Sequence, residues 1–286
     1  MLSNSFQVNY VLVEPQNAKF MLRYKKREER AYYLGTAYGH CGTKEECLAG
    51  ASEKGYLGVV KCLVGVGADV HAGNDEALRL ASGGGHLEVV KYLVGVGADV
   101  HAGNGDALIY SSVNGHLEVV KYLVSQGADV HTRNDDALIY SSMNGHLEVV
   151  KYLVSQGADV HAGDDQALRW ASTRGYLDMV KFLILKGADM HTEDKALKCA
   201  SEGGHLEVVK YLVEIKADVQ ANDDEALKYA SIYGHLEVVK YLVGSGADVR
   251  AQDNEALRCA SGGGHLEVVK FLILCGANIH NGEVGV

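Results

Sequence analysis

Gly115-His116-Leu117-Glu118-Val119-Val120-Lys121-Tyr122-Leu123-Val124, followed by Gly127-Ala128-Asp129-Val130, is the stretch that decides the fold. It returns along the chain with its first leucine at Leu57, Leu87, Leu117, Leu147, Leu177, Leu206, Leu236 and Leu266. Every step is 30 residues except one of 29, between Leu177 and Leu206. Eight units therefore run from about residue 45 to about residue 280. A fixed period of this size is the mark of a stacked array.

Each unit reads as two helices. In the second unit the first helix covers about Glu76 to Gly83, with Ala77, Leu78, Leu80 and Ala81 as its apolar side. Asn74, Asp75 and Glu76 suit an N-cap and an acidic first turn. The second helix covers about Leu87 to Val96 and is apolar on nearly all sides, leaving only 88, 91 and 95 as a polar edge. Gly97 stands where a left-handed C-terminal residue is needed. A two-helix unit this small cannot cover both faces alone, whereas stacked copies can, so the expected fold is an all-α solenoid.

Composition agrees and narrows the function. The 286 residues are 47% hydrophobic and 22% charged, an ordinary globular balance. Lys+Arg is 27 against Asp+Glu 37, a net charge of −10, so no basic footprint for nucleic acid is present. Apolar runs such as Phe182-Leu183-Ile184-Leu185 stop far short of the roughly 18 residues a bilayer span needs. No signal peptide is read at Met1-Leu2-Ser3-Asn4-Ser5. The six cysteines include no C-x-x-C pair and read as reduced filler in a cytoplasmic protein.

The residues quoted above resemble the ankyrin repeat, whose second helix and turn they match eight times over about four-fifths of the chain. The resemblance implies a right-handed stack of helix–loop–helix units with a concave protein-binding face, and no cofactor. The usual unit has about 33 residues and a T-P-L-H stretch. Here that stretch is cut to forms such as Asp106-Ala107-Leu108-Ile109, at the expense of the finger that often touches partners. The compact unit is similar to the ankyrin arrays of giant amoeba-infecting viruses, which would make the partner a host protein and the location the host cytoplasm.

Departures from the period carry their own expectations. The link His191-Thr192-Glu193-Asp194-Lys195 is one residue short, and Lys216 replaces the turn glycine. Both predict altered stacking between the fifth and seventh units. Residues 1–44 stand apart from the solenoid at 45–286: alternation at Phe6, Val8, Tyr10 and Leu12, then at Phe20, Leu22 and Tyr24, predicts a small hairpin acting as an N-terminal cap. The competing reading is an adaptor in which 1–44 dock larger machinery such as a ubiquitin ligase. Phe271-Leu272-Ile273-Leu274-Cys275 is as apolar as an internal unit, which predicts an uncapped C-terminal face.

Repeated residues are weighed first as structure. His86, His116, His146, His205, His235 and His265 recur one per unit, roughly 10 Å apart, too far to share a metal. They read as hydrogen-bonding residues at the turn. Gly83-Gly84-Gly85 and Gly262-Gly263-Gly264 sit at a helix–helix corner with no G-K-[ST] following, so they are not phosphate loops. Ser111-Ser112 and Ser141-Ser142 fall at small-residue packing positions, and no Ser/His/Asp set with one role emerges. An enzyme is not expected. The link acids at Asp75, Asp106, Asp135-Asp136, Asp164-Asp165, Asp194, Asp223-Asp224 and Asp253 read as caps, with an acidic ridge as the functional alternative.

The outward side of the first helix varies most. Positions equivalent to 79 and 83 are mostly basic, but Ile109/Val113 and Ile139/Met143 are apolar, and Trp170 and Arg174 lie just beyond. An exposed apolar patch marks binding, and Trp and Arg are favoured at hot spots. The candidate partner-binding residues are Ile109, Val113, Asn114, Ile139, Met143, Asn144, Trp170 and Arg174.

Overall fold

The computed structural model describes residues 43–189 and 195–278. The expected hairpin and adaptor segment, like the short link at 191–194, lie outside the described residues. Those residues form sixteen α-helices and no strand. None is long and apolar enough to cross a membrane.

The chain divides into two compact units, Met1–Asp129 and Val130–Val286. The first holds α1 (Lys44–Glu53), α2 (Leu57–Gly65), α3 (Ala72–Gly83), α4 (Leu87–Gly95), α5 (Ala102–Val113) and α6 (Leu117–Ser125). The second holds α7 (Thr132–Met143), α8 (Leu147–Ser155), α9 (Ala162–Arg174), α10 (Leu177–Leu185), α11 (Lys195–Glu202), α12 (Leu206–Glu214), α13 (Ala221–Ile232), α14 (Leu236–Gly244), α15 (Ala251–Gly262) and α16 (Leu266–Leu274). Within each unit the odd-numbered helices pack on one another in one layer. The even-numbered helices form the other, and each odd helix also packs on the even helix that follows it.

The core is the same short list in every repeat. In the second repeat Ala77, Leu78 and Ala81 of α3 meet Val89, Val90 and Leu93 of α4, all buried. Each buried Val or Leu contributes about 1.5–3 kcal/mol of transfer free energy. Glu88 and Lys91 pair at 2.8 Å on the exposed edge, as their counterparts do in α6, α8, α12, α14 and α16. Such exposed pairs contribute only tenths of a kcal/mol.

Both helix ends close in the same manner. After α4, the amide of Ala98 donates to the Leu93 carbonyl at 3.0 Å across Gly97, whose φ is 109°. After α3, His86 N–H donates to the Ala81 carbonyl at 2.9 Å across Gly85, φ 73°. These six-to-one bonds satisfy carbonyls that a helix end otherwise leaves open.

The links differ from the capping expectation. Gly73, Asn74 and Asp75 all lie in the left-handed region, with φ of 62°, 56° and 56°. The right-handed helix begins only at Glu76, and its start carries no side-chain cap. The same left-handed triplet recurs at 103–105, 133–135, 163–165, 222–224 and 252–254. Gly, Asn and Asp tolerate that region best, which is the physical reason for their concentration in the links. A side-chain cap with its capping box is found at α1, where Thr43 and Glu46 exchange bonds.

The stacking change expected around Lys216 is not seen in the described residues. Lys216 does adopt a positive φ of 79°, yet Ala217 N–H still reaches the Leu212 carbonyl at 3.0 Å. Bonds between neighbouring repeats on either side keep their usual lengths: His205 to the Thr173 carbonyl and His235 to the Glu202 carbonyl are both 2.9 Å. The strain stays inside one turn. Leu266 of the last described repeat is 68% exposed, whereas its counterpart Leu236 is half-buried.

Candidate partner-binding surface

Within each unit, two columns of hydrogen bonds, neither of them present at every junction, tie neighbouring repeats together. The first uses the corner histidines. His86 Nε2 lies 2.8 Å from the Glu53 carbonyl, His116 Nε2 2.9 Å from that of Gly83, and His265 Nε2 2.8 Å from that of Ile232. A carbonyl only accepts, so Nε2 carries the proton. The rings lie flat on the glycine of the preceding corner: a Cβ added to Gly204 would come within 2.5 Å of His235 Nδ1. The histidines are structural, as their turn position predicts. Among the described residues no group of three His, Cys, Asp or Glu is placed to share a metal ion.

The second column corrects the reading of the link acids. Asp75 is buried, and its Oδ1 accepts the amide N–H of Asp99 in the next link at 2.9 Å. Asp135, Asp165 and Asp224 do the same for Asp159, Asp189 and Asp248, and Asn254 does it for Asn278 with a neutral amide. These carboxylates are stitches between repeats rather than caps. Burial pushes the Asp224 carboxyl up, the Asp248 N–H pulls it back, and the neighbouring Asp248, Asp218 and Asp223 charges raise it again, with a net upward shift. The exposed acids that could form a ridge are those outside this set, including Asp164, Asp223 and Asp253.

On the outward face of the first helices, the cations are mostly occupied. Arg79 pairs with Glu76 at 2.8 Å and lies over the Tyr110 ring. Lys198 pairs with Glu225 of the next repeat at 3.1 Å and sits 4.5 Å above the Tyr229 ring. Burial lowers the Lys198 ammonium, the Glu225 carboxylate outweighs it, and the net shift is upward. Arg169 donates to its own helix start at Gly163, and Arg258 pairs with Glu255.

The candidate residues do not form the exposed patch that helical projection suggests. Ile109 and Ile139 are core, 5% and 3% exposed. In an isolated helix that position faces outward, but in the stack it lies in the seam between first helices. Sister repeats place long Arg or Lys stems there, which carry their charge out of the seam. Val113 and Met143 are half-buried, and Asn114 and Asn144 are exposed. Asn114 is itself engaged, its Nδ2 donating to the Gly83 carbonyl at 2.8 Å. Trp170 is half-buried and Arg174 exposed. Ile109, Val113 and Asn114 belong to the first unit, and the other five to the second.

What the sequence reading missed is the next position along. Tyr110 and Tyr140 are 43% and 37% exposed, and Trp170 occupies the same register. In the second unit α7, which carries Tyr140 and Met143, packs against α9, which carries Trp170 and Arg174. The signal was present: an aromatic side chain directly after the seam position, in three successive units.

Comparison with known families fits this geometry. The family model for ankyrin repeats (3 copies) matches residues 48–134, 131–194, 168–253 and 197–283, together most of the chain. No curated protein matches it.

Proposed function

The chain belongs to the ankyrin-repeat family, and on that premise we propose that it is a non-catalytic scaffold holding a protein partner on the outward, concave face of its first helices. Ankyrin repeats generally mediate protein–protein interaction. In this reading residues 1–44 cap the stack, and the binding residues are Tyr140, Met143, Asn144, Trp170 and Arg174 of the second unit; Tyr110, Val113 and Asn114 hold the equivalent positions in the first, taken by itself.

The observation that carries the reading is the exposed Tyr140 and the half-buried Trp170 in equivalent positions on two mutually packed helices. Large aromatic side chains left partly in water on a rigid surface are the residues most often dominant at interfaces. The core does not need them, since the core repeats without them in the sixth and eighth units. The viral resemblance makes a host protein the natural partner to seek. The test is capture from amoebal and other eukaryotic lysates at physiological salt, using the full chain and its Tyr140→Ala/Trp170→Ala variant. A partner held by the first and lost by the folded variant supports this face, and a partner held equally by both rejects it.

A further inference from the structure

Resting on that reading of the second unit, we infer that the corner between the fourth and fifth repeats anchors an acidic, extended peptide segment of the partner, with a carboxylate on Arg174 and a backbone N–H on the Met143 carbonyl. The argument starts from what the same corner does elsewhere. In the first unit the Gly83 carbonyl is capped twice, by Asn114 Nδ2 at 2.8 Å and by His116 Nε2 at 2.9 Å. In the fifth repeat both donors are replaced at once: Arg174 stands in the asparagine register and Tyr176 in that of the histidine. The Tyr176 ring still covers the preceding corner glycine, where a Cβ on Gly145 would meet it at 2.8 Å. No hydrogen bond to the Met143 carbonyl is formed among the described residues.

Arg174 is equally open. Among the described arginines it alone makes no hydrogen bond or ion pair, since Arg79, Arg169, Arg250 and Arg258 are engaged and Arg133 is not free. It is exposed and lies one helical turn beyond Trp170. One open acceptor, one open guanidinium and two aromatic faces therefore sit on two neighbouring helices. An extended peptide supplies the complements: an N–H for the carbonyl, a planar carboxylate for the guanidinium, and an apolar side chain between Tyr140 and Trp170. A phosphate dianion calls for more than one free cation, and the nearby Lys198 is committed to Glu225.

The test uses the full chain and a displayed library of random twelve-residue peptides. Selected peptides are resynthesised with a fluorophore and titrated by anisotropy. Arg174→Asn is the decisive variant, because it restores the Asn114 pattern, removes both open groups and leaves folding intact, which thermal melting checks. The expected result is enrichment of Asp or Glu beside an apolar residue, a loss of tenfold or more in R174N, and a reversal of charge preference in R174E. Peptides without acidic enrichment, or titrations unchanged in R174N, overturn the anchor. If binding is lost in the Y140A/W170A variant but kept in R174N, only the anchor fails and the face stands. If binding is indifferent to both variants, the face fails as well. A library that yields no binder overturns the anchor, leaving the face to the capture experiment.

Discussion

Gly204→Ala tests how neighbouring repeats are locked. Gly204 and Gly264 share a φ of 73°, so an alanine at either pays the same left-handed strain, about 1–2 kcal/mol. Their surroundings differ. At Gly264 a Cβ meets nothing within 4 Å, whereas at Gly204 it meets His235 Nδ1 at 2.5 Å, Cε1 at 2.7 Å and Cγ at 2.8 Å. An ordinary carbon contact is about 3.5–4 Å, so the ring must move by about an ångström. That movement breaks the 2.9 Å bond from His235 Nε2 to the Glu202 carbonyl. A typical bond of this kind contributes about 0.5–1.5 kcal/mol net. The expected cost of G204A is therefore about 1.5–3.5 kcal/mol, against about 1–2 kcal/mol for G264A. On a His235→Ala background the steric part vanishes, and G204A should cost only its backbone strain. Urea unfolding followed by far-UV circular dichroism, on the wild type, both single variants and the double variant, closes the cycle. Equal costs of G204A on the two backgrounds would refute the idea that the histidine ring is what forbids a side chain there.

Further outcomes rest on the same geometry. Lys216→Gly should raise stability by about 1 kcal/mol in urea melts, because Lys216 holds φ 79° where the sister glycines at 187 and 246 lie at 103° and 108° with open space around a Cβ. Asp224→Asn should be more stable than the wild type at neutral pH, since Asn254 makes the same stitch without charge. Because the folded Asp224 carboxyl is raised above its ordinary 3.8, its ionised form works against folding, so the advantage should shrink as pH falls through the folded pKa and disappear below about 3.8, as paired melts at stepped pH would show. Asp224→Ala, by contrast, strips the Asp248 amide of its acceptor and should cost about 1–3 kcal/mol. Ile139→Ala should cost about 2–4 kcal/mol by opening a core cavity, while Tyr140→Ala one residue later, at a partly exposed position, should cost less, about 1–2 kcal/mol in the same melts.

The architecture was legible because its signal repeats. One apolar pattern read eight times fixed both helices, the turn glycines and the structural role of the corner histidines. The errors lie where an isolated helix is a poor guide to a stacked one. Ile109 and Ile139 project outward from their own axis and are covered by the seam between repeats, which no single-helix projection contains. The link acids were read as caps because N-caps and left-handed residues draw on the same small set, Asn, Asp and Gly. Only coordinates distinguish a carboxylate turned to its own helix from one turned to the amide of Asp99 or Asp159. Lys216 carries the strain that its position in the turn implies, and the strain does not spread, because a six-to-one bond closes the turn locally.

The stitches have a genetic consequence. The bonds between neighbouring repeats span nearly constant counts along the chain, 24 residues from Asp75 to Asp99 and 33 from Gly83 to His116, shortened to 32 from Thr173 to His205 across the one 29-residue step. A recombination event that slips by one whole 30-residue unit leaves every such count unchanged, so the lengthened or shortened product closes all of its bonds at once. A one-residue shortening of a link is absorbed by the histidine column, since the bond across the 29-residue step is still 2.9 Å. The protein is thus written in modules of about thirty codons, in which whole-unit copying is silent to the fold and single-residue change on the outward face is free to diversify what is bound.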